Sequence, residues 1–166
     1  MASREDAIVV TTVVAVAPAR AFAVFTEEIG AWWRSDLPRN RFAAGRRGRM
    51  CFEPGAGGRL LEESEEAPGE PFEVGRVRVW EPPARLVFGF RAAAFAPGEE
   101  TEVEVRFEPV AGGTRVTLTH RGWDALAPDH PARHGLTGPA FTSMIGLWWA
   151  DHLGSMRARA GAGGGA

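Results

Sequence analysis

The chain has 166 residues, 45% of them apolar and 24% charged, with a formal net charge of −2, which suits one domain large enough for a real core. That balance gives no general pull toward nucleic acid or an anionic membrane surface, and no run approaches the roughly 20 apolar residues of a membrane span. A single cysteine, Cys51, leaves no internal disulfide to form, and all 19 basic residues are arginine, as GC-rich coding would produce.

Ile8 to Val16 is rich in β-branched residues and predicts a first strand. Pro18 opens a helix, in which Ala21, Phe22 and Phe25 form an apolar stripe that ends near Glu28. Ile29, Trp32 and Trp33 predict a second short helix, stopped before Pro38. Residues 34–47 read as a polar loop carrying Arg34, Arg39, Arg41, Arg46 and Arg47. Arg49 to Glu53 and Arg59 to Glu63 predict a hairpin around Pro54-Gly-Ala-Gly-Gly58, and the acidic run Glu62 to Glu66 reads as a solvated turn.

The next two strands, near 72–81 and 85–91, meet at Glu81-Pro-Pro-Ala84, whose prolines punctuate the hairpin. Setting Trp80 opposite Arg85 pairs Val79 with Leu86, Val77 with Phe88 and Gly75 with Phe90, which makes one face apolar. Simple alternation sends Trp80 outward with Arg78, whereas a bulge near Arg78 would turn it inward. Thr101–Val110 and Thr114–His120 form the last hairpin. Pairing Val110 with Gly113 sets Phe107 against Val116, Val105 against Leu118 and Val103 against His120, with charged residues on the other face. His120 therefore points to the core side.

Gly122 to Pro139 reads mostly as loop. Beyond it Phe141, Met144, Ile145, Trp148, Trp149, His152, Leu153 and Met156 recur at helical spacing. The final residues 160–166 are only Ala and Gly and read as a disordered tail to a single domain spanning 1–159. The predicted order is β-αα-β-β-β-β-β-β-α: an α+β fold in which a curved antiparallel sheet wraps around a long C-terminal helix. The N-terminal Met-Ala-Ser-Arg-Glu-Asp has no secretory apolar region, so a reducing, cytoplasmic setting is expected.

In this order the words Pro18-Ala-Arg-Ala-Phe-Ala-Val-Phe-Thr26, Trp32-Trp33, Phe52-Glu-Pro54, Gly75-Arg-Val, Glu81-Pro-Pro83, Gly113 to His120 with Gly122-Trp123, and Trp148 resemble the START-like (SRPBCC, helix-grip) superfamily. Within it, the chain is most similar to the family related to the activator of heat-shock-protein-90 ATPase. The resemblance spans about residues 8–157. It implies a cavity between sheet and terminal helix that takes hydrophobic small molecules, as a carrier, a sensor or an enzyme of the polyketide cyclase/dehydratase type. A chaperone-linked interaction module using the Trp32–Arg49 surface is a third reading.

From these patterns a hydrophobic or aromatic ligand is expected against Trp32, Phe52, Val77, Phe88, Phe90, Val105, Phe107, Leu118, His120, Phe141, Met144 and Trp148, although each alone is also a natural core residue. His120 could orient the ligand or move a proton, or could be a core-edge histidine satisfied by neighbours. His152 is judged the same way, and Asp151-His152 is no dyad because adjacent helical residues diverge. No catalytic residue is assigned. Cys51 alternates outward between Met50 and Phe52 without a base and reads as an inert thiol. No metal is expected, since Pro131 inside His130-x3-His134 and Pro128 just before it argue against a regular helix there, and no other cofactor is called for. Exposed Trp33, Trp80 or Trp149 could mark a homodimer contact.

Overall fold

A computed structural model describes residues 7–43, 47–66 and 68–162. Its elements are β1 (Ile8–Val14), α1 (Pro18–Glu27), α2 (Ile29–Trp32), β2 (Gly48–Phe52), β3 (Arg59–Ser64), β4 (Phe72–Glu81), β5 (Arg85–Phe90), β6 (Thr101–Val110), β7 (Gly113–Arg121) and α3 (Gly138–Ala162). All neighbouring strands are antiparallel, in the order β1-β7-β6-β5-β4-β3-β2. The seven strands make a curled half-barrel whose concave side receives α1, α2 and α3, the α+β helix-grip arrangement.

Local sequence accounts for most of this. In β6 and β7, Phe107 meets Val116, Val105 meets Leu118 and Val103 meets His120, and all six of these side chains are buried. On the opposite face Glu104 is shared among Arg85, Arg106 and Arg121, and Glu102 between Arg78 and Arg121. Burial alone would raise the Glu104 carboxyl, yet Arg121, Arg85 and Arg106 hold it below the ordinary range.

The β4–β5 hairpin departs from simple alternation. Val77 meets Phe88 as expected, but the register shifts before Val79, so Val79 meets Val87, Trp80 meets Leu86 and Glu81 meets Arg85. The bulge falls at Arg78 and turns Trp80 inward, edge-on to Phe22 at 5.4 Å between ring centroids. The turn contains a cis Pro82–Pro83 bond. Further along, Gly75 crosses Gly89 so closely that a Cβ would lie 1.6 Å from the Gly89 carbonyl oxygen. No other residue fits there.

Two expectations need correction. The acidic run is not uniformly solvated: Glu62 is 2% exposed, and its carboxylate accepts hydrogen bonds from the backbone N–H groups of Phe42 and Ala43 at 3.0 and 2.9 Å. Gly48 makes room for it, since a Cβ there would come within 2.4 Å of the Glu62 stem. The terminal helix also continues into the supposed tail, through Ala162, with Ala160 fully buried; residues 163–166 lie outside the described set. Glu28 ties this end down by pairing with Arg159 at 2.9 Å and with Arg20. Among the described residues no helix is long and apolar enough to cross a membrane.

Candidate functional site

The middle of the sheet–helix gap is filled by the protein itself. Phe22, Phe25, Trp32 and Trp149 are nearly inaccessible; Phe22 and Phe25 pack against Phe107, Phe25 also against Trp32 and Phe52, and Trp149 against Trp33 and Phe90. Trp32 donates its indole N–H to the Val24 carbonyl, and Ser155 donates its hydroxyl to the Trp32 carbonyl. These bonds lock α1, α2 and α3 together. Of the residues expected to face a ligand, Trp32, Phe52, Val77, Phe88, Val105, Phe107, Leu118 and Phe141 sit in or against this core. They do not line the cavity described next.

Open space remains at one end of the gap. A half-open cavity of about 480 Å³ lies between the first turns of α3, the end of β5 and three loop segments. Met144, Ile145 and Trp148 come from the helix, Phe90 and His120 from the sheet, Pro38 to Phe42 from the long arginine-bearing loop, and Ala92, Ala94, Phe95, Trp123, Pro131, Ala132 and His134 from the others. Phe90, His120, Met144 and Trp148 are thus the expected residues that this cavity brings together. Its volume is in the roughly 300–1,000 Å³ range of small-molecule sites, and the mostly apolar lining is typical of them. A second cleft of about 590 Å³ is bounded by Gly30, Trp33, Ser35, Asp36, Arg47, Gly48, Arg49, Glu65 and Glu66. Its walls carry both charge signs, offer one aromatic ring and adjoin in sequence residues outside the described set. It is the poorer candidate for an apolar ligand.

The wall built by residues 38–43 is the part sequence reasoning missed. Read as polar loop, it contains buried Asn40, Phe42 and Ala43. Asn40 is its hub. Its amide nitrogen donates to the Arg34 carbonyl at 2.9 Å, its amide oxygen accepts from the Trp148 indole at 2.8 Å, and its backbone carbonyl accepts from the Trp33 indole at 3.0 Å. Glu62 clamps Phe42 and Ala43, and the Phe42 carbonyl accepts from the Ala93 N–H at 3.0 Å. The wall is therefore bonded to β3, to α3 and to the segment after β5. Phe42 stands out as an apolar residue among charges in the sequence, the one signal that could have found it.

His120 is fully buried. The Trp149 indole N–H donates to its Nδ1 at 3.0 Å, so Nδ1 is an acceptor and the proton sits on Nε2. Nε2–H then donates to Thr101 Oγ1 at 2.7 Å, and the Thr101 hydroxyl donates to the Phe90 carbonyl at 3.1 Å. Burial depresses the imidazole pKa to about 3. Neutral and bonded at both nitrogens, His120 has no lone pair free to take a proton from a substrate. Its role here is to tie β7, β6, β5 and α3 together behind the cavity.

His152 is also buried, and burial lowers its pKa to about 4. It stacks on Trp33 at 3.8 Å and 14°, and neither ring nitrogen has a hydrogen-bond partner among the described residues. Trp33 and Trp149, expected to be exposed, are 5% and 1% exposed, so they mark no dimer surface, and Trp80 is half covered by Phe22 and Phe52. Cys51 lies outward, with its thiol raised by burial and then by Glu63 at 3.7 Å. His130 uses both nitrogens, one toward Glu99 at 3.1 Å and the other accepting from Ala132 N–H. Among the described residues no group of three or more metal-ligating side chains occurs. Arg46, part of the surface considered for a protein partner, lies outside the described residues.

Comparison with known proteins agrees with this fold. No curated protein matches the chain. Among solved structures, protein MLL2253 from Mesorhizobium loti is similar at 16% identity and a TM-score of 0.62, over 92% of this chain and 94% of that one. The AHSA1-like protein from Aeromonas hydrophila is 16% identical with a TM-score of 0.61, over 95% and 94% of the two chains. DynU16, a protein from the dynemicin biosynthetic locus, is 18% identical with a TM-score of 0.62 over 95% of this chain but 48% of its own. At these identities the likeness establishes the fold. The model of one family matches residues 15–140, most of the folded chain, and on that ground the protein belongs to the activator of Hsp90 ATPase homolog 1-like family.

Proposed function

We propose that this protein binds a hydrophobic or aromatic small molecule in the cavity between the end of β5 and the first turns of α3. One observation carries the proposal: an apolar, half-open space of about 480 Å³ survives beside a core that is otherwise filled. Phe42, Phe90, Phe95, Met144 and Trp148 supply flat and adaptable surfaces for a ring system. Asn40 and Glu62 hold the loop wall in place without a ligand, so little ordering cost remains at binding. Each Å² of apolar surface buried would contribute roughly 25 cal/mol.

Turnover of a polyketide-type substrate is a finer reading that would need a proton-transfer group. His120, its natural candidate, has both nitrogens engaged, which supports the binding reading over the enzymatic one. Membership of the family lends a chaperone role its name alone.

The test is thermal. A panel of flat hydrophobic compounds should raise the melting temperature and change the emission of Trp148 and Trp123, with about 2.7 kcal/mol of added stability at a hundredfold excess over Kd. Ala132→Trp, which fills the cavity, should abolish both responses. An unresponsive melting curve across a chemically broad panel would overturn the proposal.

A further inference from the structure

We infer that the ligand of this cavity is an anion: a hydrophobic ring body carrying one acidic group, such as a carboxylate, sulfonate or acidic phenol. The inference rests on the small-molecule reading above and adds the chemical class. No Asp or Glu lines the cavity, whereas Arg39 and Arg41 both do. The cavity therefore has an apolar floor and a mouth whose charged side chains are cationic.

These arginines are incompletely used. Arg41 is half-buried, and its Nε and Nη2 donate to the backbone carbonyls of Ser35 and Asp36 at 3.1 and 3.2 Å. A guanidinium has five N–H donors, so Arg41 is oriented by neutral groups while donors remain free. Among the described residues it forms no ion pair. Arg39 reaches Asp151 at 3.7 Å, with both side chains largely solvated, which is a weak, exchangeable contact. Of the other acids nearby, Asp36 pairs with Arg34 at 3.7 Å, Glu62 spends its carboxylate on the Phe42 and Ala43 N–H groups behind the wall, and Glu99 is bonded to His130. Arg133, beside the cavity residues Ala132 and His134, likewise spends its guanidinium on the carbonyls of Trp123, Leu126 and Ala127 and on the face of Phe141.

The surplus positive charge is local. The whole chain carries −2, so a preference for anions would run against the overall field and must come from the mouth itself. Oriented guanidinium groups with spare donors are well suited to a planar anionic group, and charge-assisted bonds at such a site are stronger than neutral ones.

A matched pair of fluorescent probes tests this: anilinonaphthalene sulfonate and its uncharged parent, N-phenyl-naphthylamine. Both offer the same rings. The wild-type protein should bind the sulfonate about five- to tenfold more tightly at low salt, the size expected of one or two partly exposed charge contacts. The ratio should shrink in about 0.5 M salt, where screening shortens to a few ångströms. It should fall toward one in the double variant Arg39→Gln/Arg41→Gln, and widen in Asp151→Asn, which frees Arg39. Ala132→Trp should eliminate both signals, locating the probes in the cavity. Equal affinity for the two probes, or a ratio indifferent to the arginine and Asp151 variants, overturns the anion inference and leaves the hydrophobic cavity standing. Failure of both probes to bind the wild type removes the small-molecule reading itself.

Discussion

Two buried histidines show how neighbours decide what an imidazole does. His120 receives a proton bond at one nitrogen and gives one at the other, so desolvation is offset by partners. His152 gains stacking against Trp33 but has no hydrogen-bond partner for its nitrogens among the described residues. A buried polar group left this way costs roughly 1–3 kcal/mol, and an apolar isostere can recover part of that. His152→Phe, which keeps a flat ring against Trp33, should therefore raise stability by about 1 kcal/mol, read as a higher urea midpoint with an unchanged slope. A lowered midpoint would mean that the His152 nitrogens are satisfied. Trp149→Phe should act in the opposite direction. It deprives His120 Nδ1 of its donor and should cost about 1–3 kcal/mol, roughly a 2–10 °C drop in melting temperature for a domain of this size.

Among elements, strands with alternating apolar residues were the most legible. In β6 and β7 every cross-strand partner follows from one turn, because a two-residue period leaves only one register that buries Val103, Val105, Phe107, Val116 and Leu118 together. In β4 the period itself is broken. Two readings of Trp80 competed, and the packing available against Phe22 and Phe52 selected the inward one. The cavity wall was least legible, because its order depends on a contact across twenty residues of sequence, from Phe42 to Glu62, that local charge density disguises as solvated loop. That contact is testable. Glu62→Gln replaces a carboxylate that serves two buried N–H groups with an amide that can accept at one oxygen, leaving one donor facing another. It should cost about 1–3 kcal/mol and, by loosening the Phe42 wall, should weaken binding of a cavity ligand more than it weakens the fold. Retained affinity with reduced stability would show that the wall is structural and separate from the site.

On the scale of the whole molecule, the same burial that filled the core makes the protein acid-sensitive in a particular window. The expected ligand-facing rings closed on one another because Phe22, Phe25, Trp32 and Trp149 together occupy the concave side; periodicity tells which residues point inward but not whether their summed volume fills the space. With the core closed, His120 and His152 remain neutral in the fold, with pKa values of about 3 and about 4, against about 6.5 in the unfolded chain. Below pH 6.5 the unfolded state binds more protons than the folded one, so stability must fall as the pH is lowered. The carboxylates Glu28, Glu99 and Glu104, all held below the ordinary range in the fold, act in the same direction, but they do so as the pH drops through and below the ordinary Glu value near 4.3. The interval from about pH 6.5 to 4.5 therefore belongs chiefly to the histidines. There the unfolding free energy should decline by up to about 1.4 kcal/mol per pH unit for each of the two. Urea titrations at half-unit steps measure that slope, and His152→Phe should roughly halve it while leaving the steeper loss below pH 4.5 in place. A flat profile between pH 6.5 and 4.5 would mean that the imidazoles take up protons inside the folded protein, which a core closed over both of them does not permit.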